Sequence, residues 1–211
     1  MTGRTSKLMW SAAALMCVGL AFYSYRYFAG VGPRAPNILA NPLAKPWLYL
    51  HIAGAATALL LGPFQLVPWI RKCFPAVHRI TGRVYVIGCI VGGAGGFVAA
   101  FGSTAGPIAT TGFAILAPIW IYVNVQGWRS ALARNFADHR AWMIRSLSLT
   151  FAAVTLRLYL AIGMAAGLSL VEVYRATAWI SWVPNLILAE LYLRGAFNRP
   201  GRTRLVTSGV S

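Results

Sequence analysis

Long apolar runs broken by short basic segments constrain this chain more than any other feature. A helix rising 1.5 Å per residue needs about twenty residues to cross a hydrocarbon core of about 30 Å, and several runs here are that long. Charged residues make up 10% of the chain, the AVILMFWYC set 58%, and mean hydropathy is +0.64. Soluble domains carry roughly 25% charged residues, so the composition is that of an integral membrane protein. Lipid offers the backbone no hydrogen-bond partners, which leaves helices as the structure for such runs. The pattern predicts an all-α bundle of six transmembrane helices at residues 8–28, 47–70, 84–102, 108–128, 142–166 and 176–193. Residues 1–30 read as an uncleaved signal-anchor helix, 47–193 as a five-helix core and 194–211 as a basic tail.

Nineteen Lys and Arg face three Asp and Glu, for a net charge of +16. Such a charge on a soluble chain would point to nucleic acid, but the basic residues here are dispersed through short segments between apolar runs. Arg4 and Lys7 precede the first span. Arg71, Lys72, Arg79 and Arg83 follow the second, and Arg129, Arg134, Arg140 and Arg145 follow the fourth. Arg194, Arg199, Arg202 and Arg204 follow the sixth. The other connections carry Arg34 and Lys45, then none, then Arg175. Six spans put every rich cluster on one side, so the positive-inside rule predicts both termini in the cytoplasm of a multi-pass inner-membrane protein. Trp47, Trp179 and Trp182 then fall near the outer interface, and Trp10, Trp69, Trp128 and Trp142 near the inner one, as an aromatic belt requires. The bilayer is the expected partner and nucleic acid is not.

Gly88, Gly92, Gly96 and Ala100 form a doubled small-xxx-small stripe in the third span, with a weaker echo at Ala55, Leu59 and Gly62. Such stripes admit a neighbouring helix, or a flat ligand, close to the backbone. Cys17, Cys73 and Cys89 have no metal-type spacing and read as small apolar filler.

Polar residues inside a bilayer are costly and therefore informative. His78-Arg79 followed by Arg83, and His139-Arg140 followed by Arg145, each open a helix after an even-numbered span, as in a two-fold repeat. Helix N-termini favour anions, and adjacent guanidiniums add to that preference. His78, Arg79, Arg83, His139, Arg140 and Arg145 are therefore the candidate binding residues. Glu190, Gln65, Asn124 and Gln126 lie at similar depth. The same arginines also suit simple anchoring to phospholipid head groups. Asp138 can cap the fifth helix or orient His139. His51 lies near the outer end of the second span, about 30 Å from the other imidazoles, so the three histidines of the chain cannot share one metal, and no metal site is expected. Arg157 lies well inside the fifth span and needs a partner; His51 and Asn185 are at matching depth and make a second candidate cluster with it.

The strings His51…Gly54, Gly62-Pro63-Phe64-Gln65, His78-Arg79-Ile80-Thr81-Gly82-Arg83-Val84-Tyr85, Asp138-His139-Arg140-Ala141-Trp142-Met143-Ile144-Arg145-Ser146, Leu156-Arg157-Leu158 and Trp182-Val183-Pro184-Asn185 with Glu190 resemble the bacterial membrane family catalogued as domain of unknown function 2306. The likeness runs over residues 47–193. It implies that these motif residues form the working part of the bundle, and it assigns no activity. A more distant likeness is to cytochrome b-561-type bundles, which implies a haem b held by His78 and His139 with arginines on its propionates. That family's two His pairs on opposite membrane sides are absent here. Three readings stay open. The first is a cofactor- or small-anion-binding membrane protein, with haem b and a redox role as one form. The second is a membrane enzyme acting on a lipophilic molecule, with His139 or Glu190 carrying a proton. The third is a small transporter, in which Pro118 or the glycines break helices near the midplane and Arg157 faces a pathway.

Overall fold

A computed structural model describes residues 3–31, 39, 41–42 and 44–195. Arg34, the tail residues Arg199, Arg202 and Arg204, and the side chain of Arg4 lie outside the described residues. Among the described residues the chain is helical with no strand. The helices are α1 (Gly3–Ala29), α2 (Lys45–Gln65), α3 (Pro68–Cys73), α4 (Pro75–Ala100), α5 (Pro107–Leu132), α6 (Phe136–Thr150), α7 (Ala152–Ala165), α8 (Leu170–Ile180) and α9 (Val183–Leu193). Proline stands in the first turn of α2, α3, α4, α5 and α9, where its missing N–H breaks no helical bond and its fixed φ favours initiation.

Five helices are long and apolar enough to cross a membrane: Lys7–Ala29, α2, α4, α5, and the continuous pair α6–α7 over Phe136–Ala165. The sixth span is broken. Its run is interrupted by a turn at Ser181–Trp182, leaving α8 and α9 with 11 residues each. Pro184 explains the break, since it has no N–H for the carbonyl four residues back. The backbone groups freed there find side chains. The Trp182 indole N–H donates to the Ala178 carbonyl (2.8 Å) and the Thr155 hydroxyl to the Ser181 carbonyl (2.6 Å), as an apolar setting demands. Trp182 is consequently a core residue, 5% exposed, and not part of an interfacial belt. α5 runs unbroken through Pro118 and α4 through its glycines, so neither makes the helix break that a transporter reading needs. The helix of the second span ends at Gln65, short of the predicted edge at Ile70, and α3 turns the chain back into α4, which starts at Pro75, nine residues before the predicted edge at Val84.

α2, α4, α5 and α6 pack side by side; α1 lies against α2, and α8 bridges α5 and α7. The glycine stripe is what lets α2 meet α4. A Cβ on Gly92 would stand 2.7 Å from the Ala55 nitrogen, and one on Gly95 2.7 Å from the Trp47 carbonyl oxygen. The neighbour it admits is thus a helix. Gly96 faces the His51 ring instead, with its notional Cβ 2.7 Å from Nδ1. Ala58, Tyr85, Val86, Cys89, Trp120, Val123, Leu149, Ala152 and Trp182 form the main core. Leu15, Phe22, Ile87, Ile115, Ile162 and Leu188 are exposed, the apolar exterior of a protein whose solvent is lipid. Cys17 and Cys89 are buried filler, and Cys73 is exposed.

Candidate functional site

The two His-Arg strings occupy equivalent places. His78 and His139 are each the fourth residue of their helices, α4 from Pro75 and α6 from Phe136. Both helices start at the same basic end of the bundle, and the fold brings the two imidazoles within electrostatic range of each other, with Arg71 and Arg79 also acting on His78. His139 donates from Nδ1 to the Gly127 carbonyl of α5 (2.9 Å); a carbonyl only accepts, so Nδ1 carries a proton and Nε2 is the nitrogen left for another partner. His78 is half-buried, and its Nδ1 is buried with no hydrogen-bond partner among the described residues. Arg79 and Arg83, one turn apart on α4, are exposed and make no hydrogen bond or ion pair with the described residues.

The arginines of α6 are already committed. Arg145 grips Glu190 of α9 through both Nε and Nη2, the latter at 3.1 Å from Oε2, and lies 4.6 Å from the Trp142 ring centre. Arg140 donates to the Tyr192 hydroxyl at 3.1 Å. This pair of contacts ties α9 to α6 at the basic end. Asn135, not Asp138, caps α6: its Oδ1 accepts from the Asp138 N–H (3.2 Å), and its Nδ2 donates to Asp138 Oδ2 (2.7 Å). Gln65 donates to Thr81 Oγ1 at 2.7 Å, closing α2 against the first turns of α4.

Immediately within the bundle lies a buried hydrogen-bond network, of whose members the sequence singled out only Asn124. The Tyr85 hydroxyl meets Ser146 Oγ at 2.7 Å and Thr150 Oγ1 at 2.9 Å. Ser146 donates to Asn124 Oδ1 (2.8 Å), Asn124 Nδ2 donates to the Trp120 carbonyl (2.8 Å), and the Trp120 indole N–H donates to Thr150 Oγ1 (3.1 Å). Tyr85, Asn124 and Ser146 are fully buried. Such a satisfied neutral network fixes the mutual register of α4, α5 and α6, and with it the spacing of His78 and His139. Tyr85 and Ser146 sit within the quoted motif strings, which is the signal that pointed to them.

An almost wholly apolar cleft of about 370 Å³ opens beside this network, between Trp10 and Cys17 of α1, Gly62 of α2 and Leu66 just past its end, Leu147 of α6 and Leu188 of α9. Asn185 borders it, held by the Ser148 carbonyl and Thr155 Oγ1 at 3.2 Å each. Asn185 is therefore a clamp between α9 and the α6–α7 junction, and these bonds do not reach Arg157. Arg157 and His51 do lie in electrostatic range of each other, at the opposite end of the bundle. Among the described residues no three His, Cys, Asp or Glu gather as a metal site.

The model of the family described as predicted membrane protein DUF2306 matches residues 48–193. The chain belongs to that family. The match covers α2 through α9 and every residue of the sites just described except those of α1. No curated protein and no solved structure matches the chain.

Proposed function

We propose that this multi-pass membrane protein binds, at a cytoplasmic-facing basic end, the acidic head group of a small lipophilic molecule. His78, His139, Arg79 and Arg83 recognise the head, with Arg140 beside them. The observation that carries this reading is the convergence of His78 and His139 with Arg71 and Arg79, while Arg79 and Arg83 remain without polar partners among the described residues. Cations held together on a helix N-terminus favour an oxyanion. Arg145 is excluded from the head-group set by its bidentate pair with Glu190, and it serves to hold α6 and α9 in place. The same pair makes Glu190 a poor proton carrier, so His139 Nε2 is the group fitted to accept or deliver a proton. The apolar cleft at the same end is within the size range of small-molecule pockets, roughly 300–1,000 Å³, and suits the lipophilic part.

The test is thermal unfolding of the purified protein with oleate against oleyl alcohol, which has the same chain and no charge. Stabilisation by oleate alone, lost in Arg79→Gln/Arg83→Gln, supports the reading. Equal stabilisation by both, or an undiminished oleate effect in the double variant, contradicts it. A haem b between His78 and His139 is the second reading. One feature favours it: the Nδ1–H of His139 on a backbone carbonyl with Nε2 free, the usual state of a metal-ligating imidazole. A Soret band lost in His139→Ala supports it, and a colourless protein from haem-replete cells contradicts it.

A further inference from the structure

A second basic cluster lies at the end of the bundle away from His78, and its parts come from helices that the sequence does not place together. Cys17 and Ala21 of α1, Ala56 and Leu59 of α2 and Val154 of α7 pack into one apolar knot. Beyond that knot, on the side away from the basic end, each of the three helices carries a basic residue: Arg26 on α1, His51 on α2 and Arg157 on α7. Their depths agree. Arg26 and Arg157 stand about 22–24 Å along their helices from Trp10 and Trp142 respectively, and His51 about 6 Å in from Trp47, at 1.5 Å per residue. All three thus lie a turn or so beneath the far edge of a core about 30 Å thick.

The arginines are set among aromatic rings and within electrostatic range of each other. The Arg26 guanidinium lies 3.9 Å from the Tyr23 ring centre and 5.3 Å from that of Tyr27. Its Nη1 donates to the Val31 carbonyl (3.1 Å), and its Nε is buried with no partner among the described residues. Arg157 donates from Nη1 to the Ala153 carbonyl (3.3 Å), keeps an exposed side chain, and acts electrostatically on Arg26, His51, Tyr23, Tyr27 and Tyr174. His51 donates from Nδ1 to the Gly92 carbonyl (2.7 Å), which leaves Nε2 on the other edge of the ring.

No carboxylate of the chain neutralises these guanidiniums. There are three acids in all. Asp138 is held by Asn135 and Glu190 by Arg145 at the basic end, and Glu172 by Ser169 in the first turn of α8. Two like charges brought together beneath a membrane surface repel each other through a poorly screening medium, and an anion between them removes that cost. Phe22 on α1 and Leu158 and Ile162 on α7 are exposed apolar residues of the same helix segments, so the anion that reaches the arginines best arrives on a hydrocarbon chain.

We infer that Arg157 and Arg26 hold the phosphate of an anionic lipid between them, with the neighbouring tyrosines around it. The site is separate from the one proposed at the basic end. Two arginines from different helices acting on one phosphate distinguish it from a single arginine reaching for bulk head groups.

The experiment is native mass spectrometry of the detergent-released protein with phosphatidylglycerol and with phosphatidylcholine of the same acyl chains. Thermal unfolding with each lipid, and with inorganic phosphate alone, is recorded in parallel. The expected result is retained phosphatidylglycerol adducts and lipid-dependent stabilisation, each weakened about tenfold or more in Arg157→Gln and also in Arg26→Gln. Phosphatidylcholine and inorganic phosphate should have little effect. Arg129→Gln, which changes an exposed arginine of the basic end that belongs to neither proposed site, should leave phosphatidylglycerol binding unchanged. Arg26→Gln decides the matter if Arg157→Gln does not fold. Undiminished phosphatidylglycerol binding in Arg26→Gln overturns the inference, as does equal retention of both lipids or equal stabilisation by inorganic phosphate.

Discussion

Replacing Gly92 by Ala adds one methyl group and should be among the more damaging single changes in the chain. The new Cβ would lie 2.7 Å from the Ala55 nitrogen, 3.1 Å from the Gly54 carbonyl carbon and 3.3 Å from the Ala55 Cα. All three are backbone atoms of α2, so no side chain can swing aside. Ordinary contact lies near 3.4 Å or more, and relief requires the helices to part by about 0.7 Å. Overpacking of this kind costs about 1–3 kcal/mol. The same movement stretches the bond from His51 Nδ1 to the Gly92 carbonyl, now 2.7 Å, towards the limit of hydrogen bonding, adding about 1 kcal/mol. A total of about 2–4 kcal/mol corresponds to a Tm lower by roughly 5–15 °C for a chain of this size. Gly19→Ala is the control. Nothing lies within 4 Å of a Cβ there, so the substitution should be neutral or raise Tm slightly through helix propensity. Unfolding of both variants in detergent, followed by circular dichroism, reads the difference directly. A Gly92→Ala protein as stable as Gly19→Ala would refute the close approach of α2 and α4.

Other substitutions test the buried network and the cap of α8. Tyr85→Phe removes one hydroxyl, but Ser146 keeps Asn124 and Thr150 keeps Trp120. It should therefore cost about 1–2 kcal/mol, while Asn124→Ala, which removes the bonds to Ser146 and the Trp120 carbonyl and opens a gap, should cost more; the reverse order of Tm values would contradict the network. Glu172 accepts from the Ser169 hydroxyl and N–H (2.6 and 3.1 Å), and these bonds hold its carboxyl below the usual range. A folded-state pKa depressed in this way gives stability that is present above the unfolded value, about 4.3, and is lost as pH falls through the folded one. The Tm gap between the natural chain and Glu172→Gln should accordingly be open at neutral pH and close in acid; a gap that widens in acid would contradict the cap.

Much of this architecture was legible because the bilayer imposes it. Five of the six expected spans appear as long apolar helices, since length and hydropathy alone decide whether a segment can cross. The break in the sixth span was written in Pro184, inside a run whose hydropathy reads as continuous. The His-Arg pairs were legible as helix starts, because their spacing from the preceding apolar run fixed their depth. Depth, however, is all that such counting yields. Asn185 matches Arg157 in depth but faces Ser148 and Thr155, since the angle around each helix depends on how the helices pack. Arg26 was overlooked for the same reason. It falls inside the first predicted span, and only the packing of α1 on α2 and α7 brings it into electrostatic range of Arg157. The Arg145–Glu190 pair likewise joins residues 45 apart in sequence, which no local pattern announces.

The account rests on the basic end of the bundle, with Cys73, His78 and His139, facing the cytoplasm. The chain carries its own probe, for Cys73 is exposed on α3 at that end while Cys17 and Cys89 are buried. A membrane-impermeant maleimide applied to intact cells should leave the protein unlabelled, and the same reagent on inverted membrane vesicles should label it, with Cys73→Ser abolishing the signal. Labelling of Cys73 from outside intact cells would contradict the account.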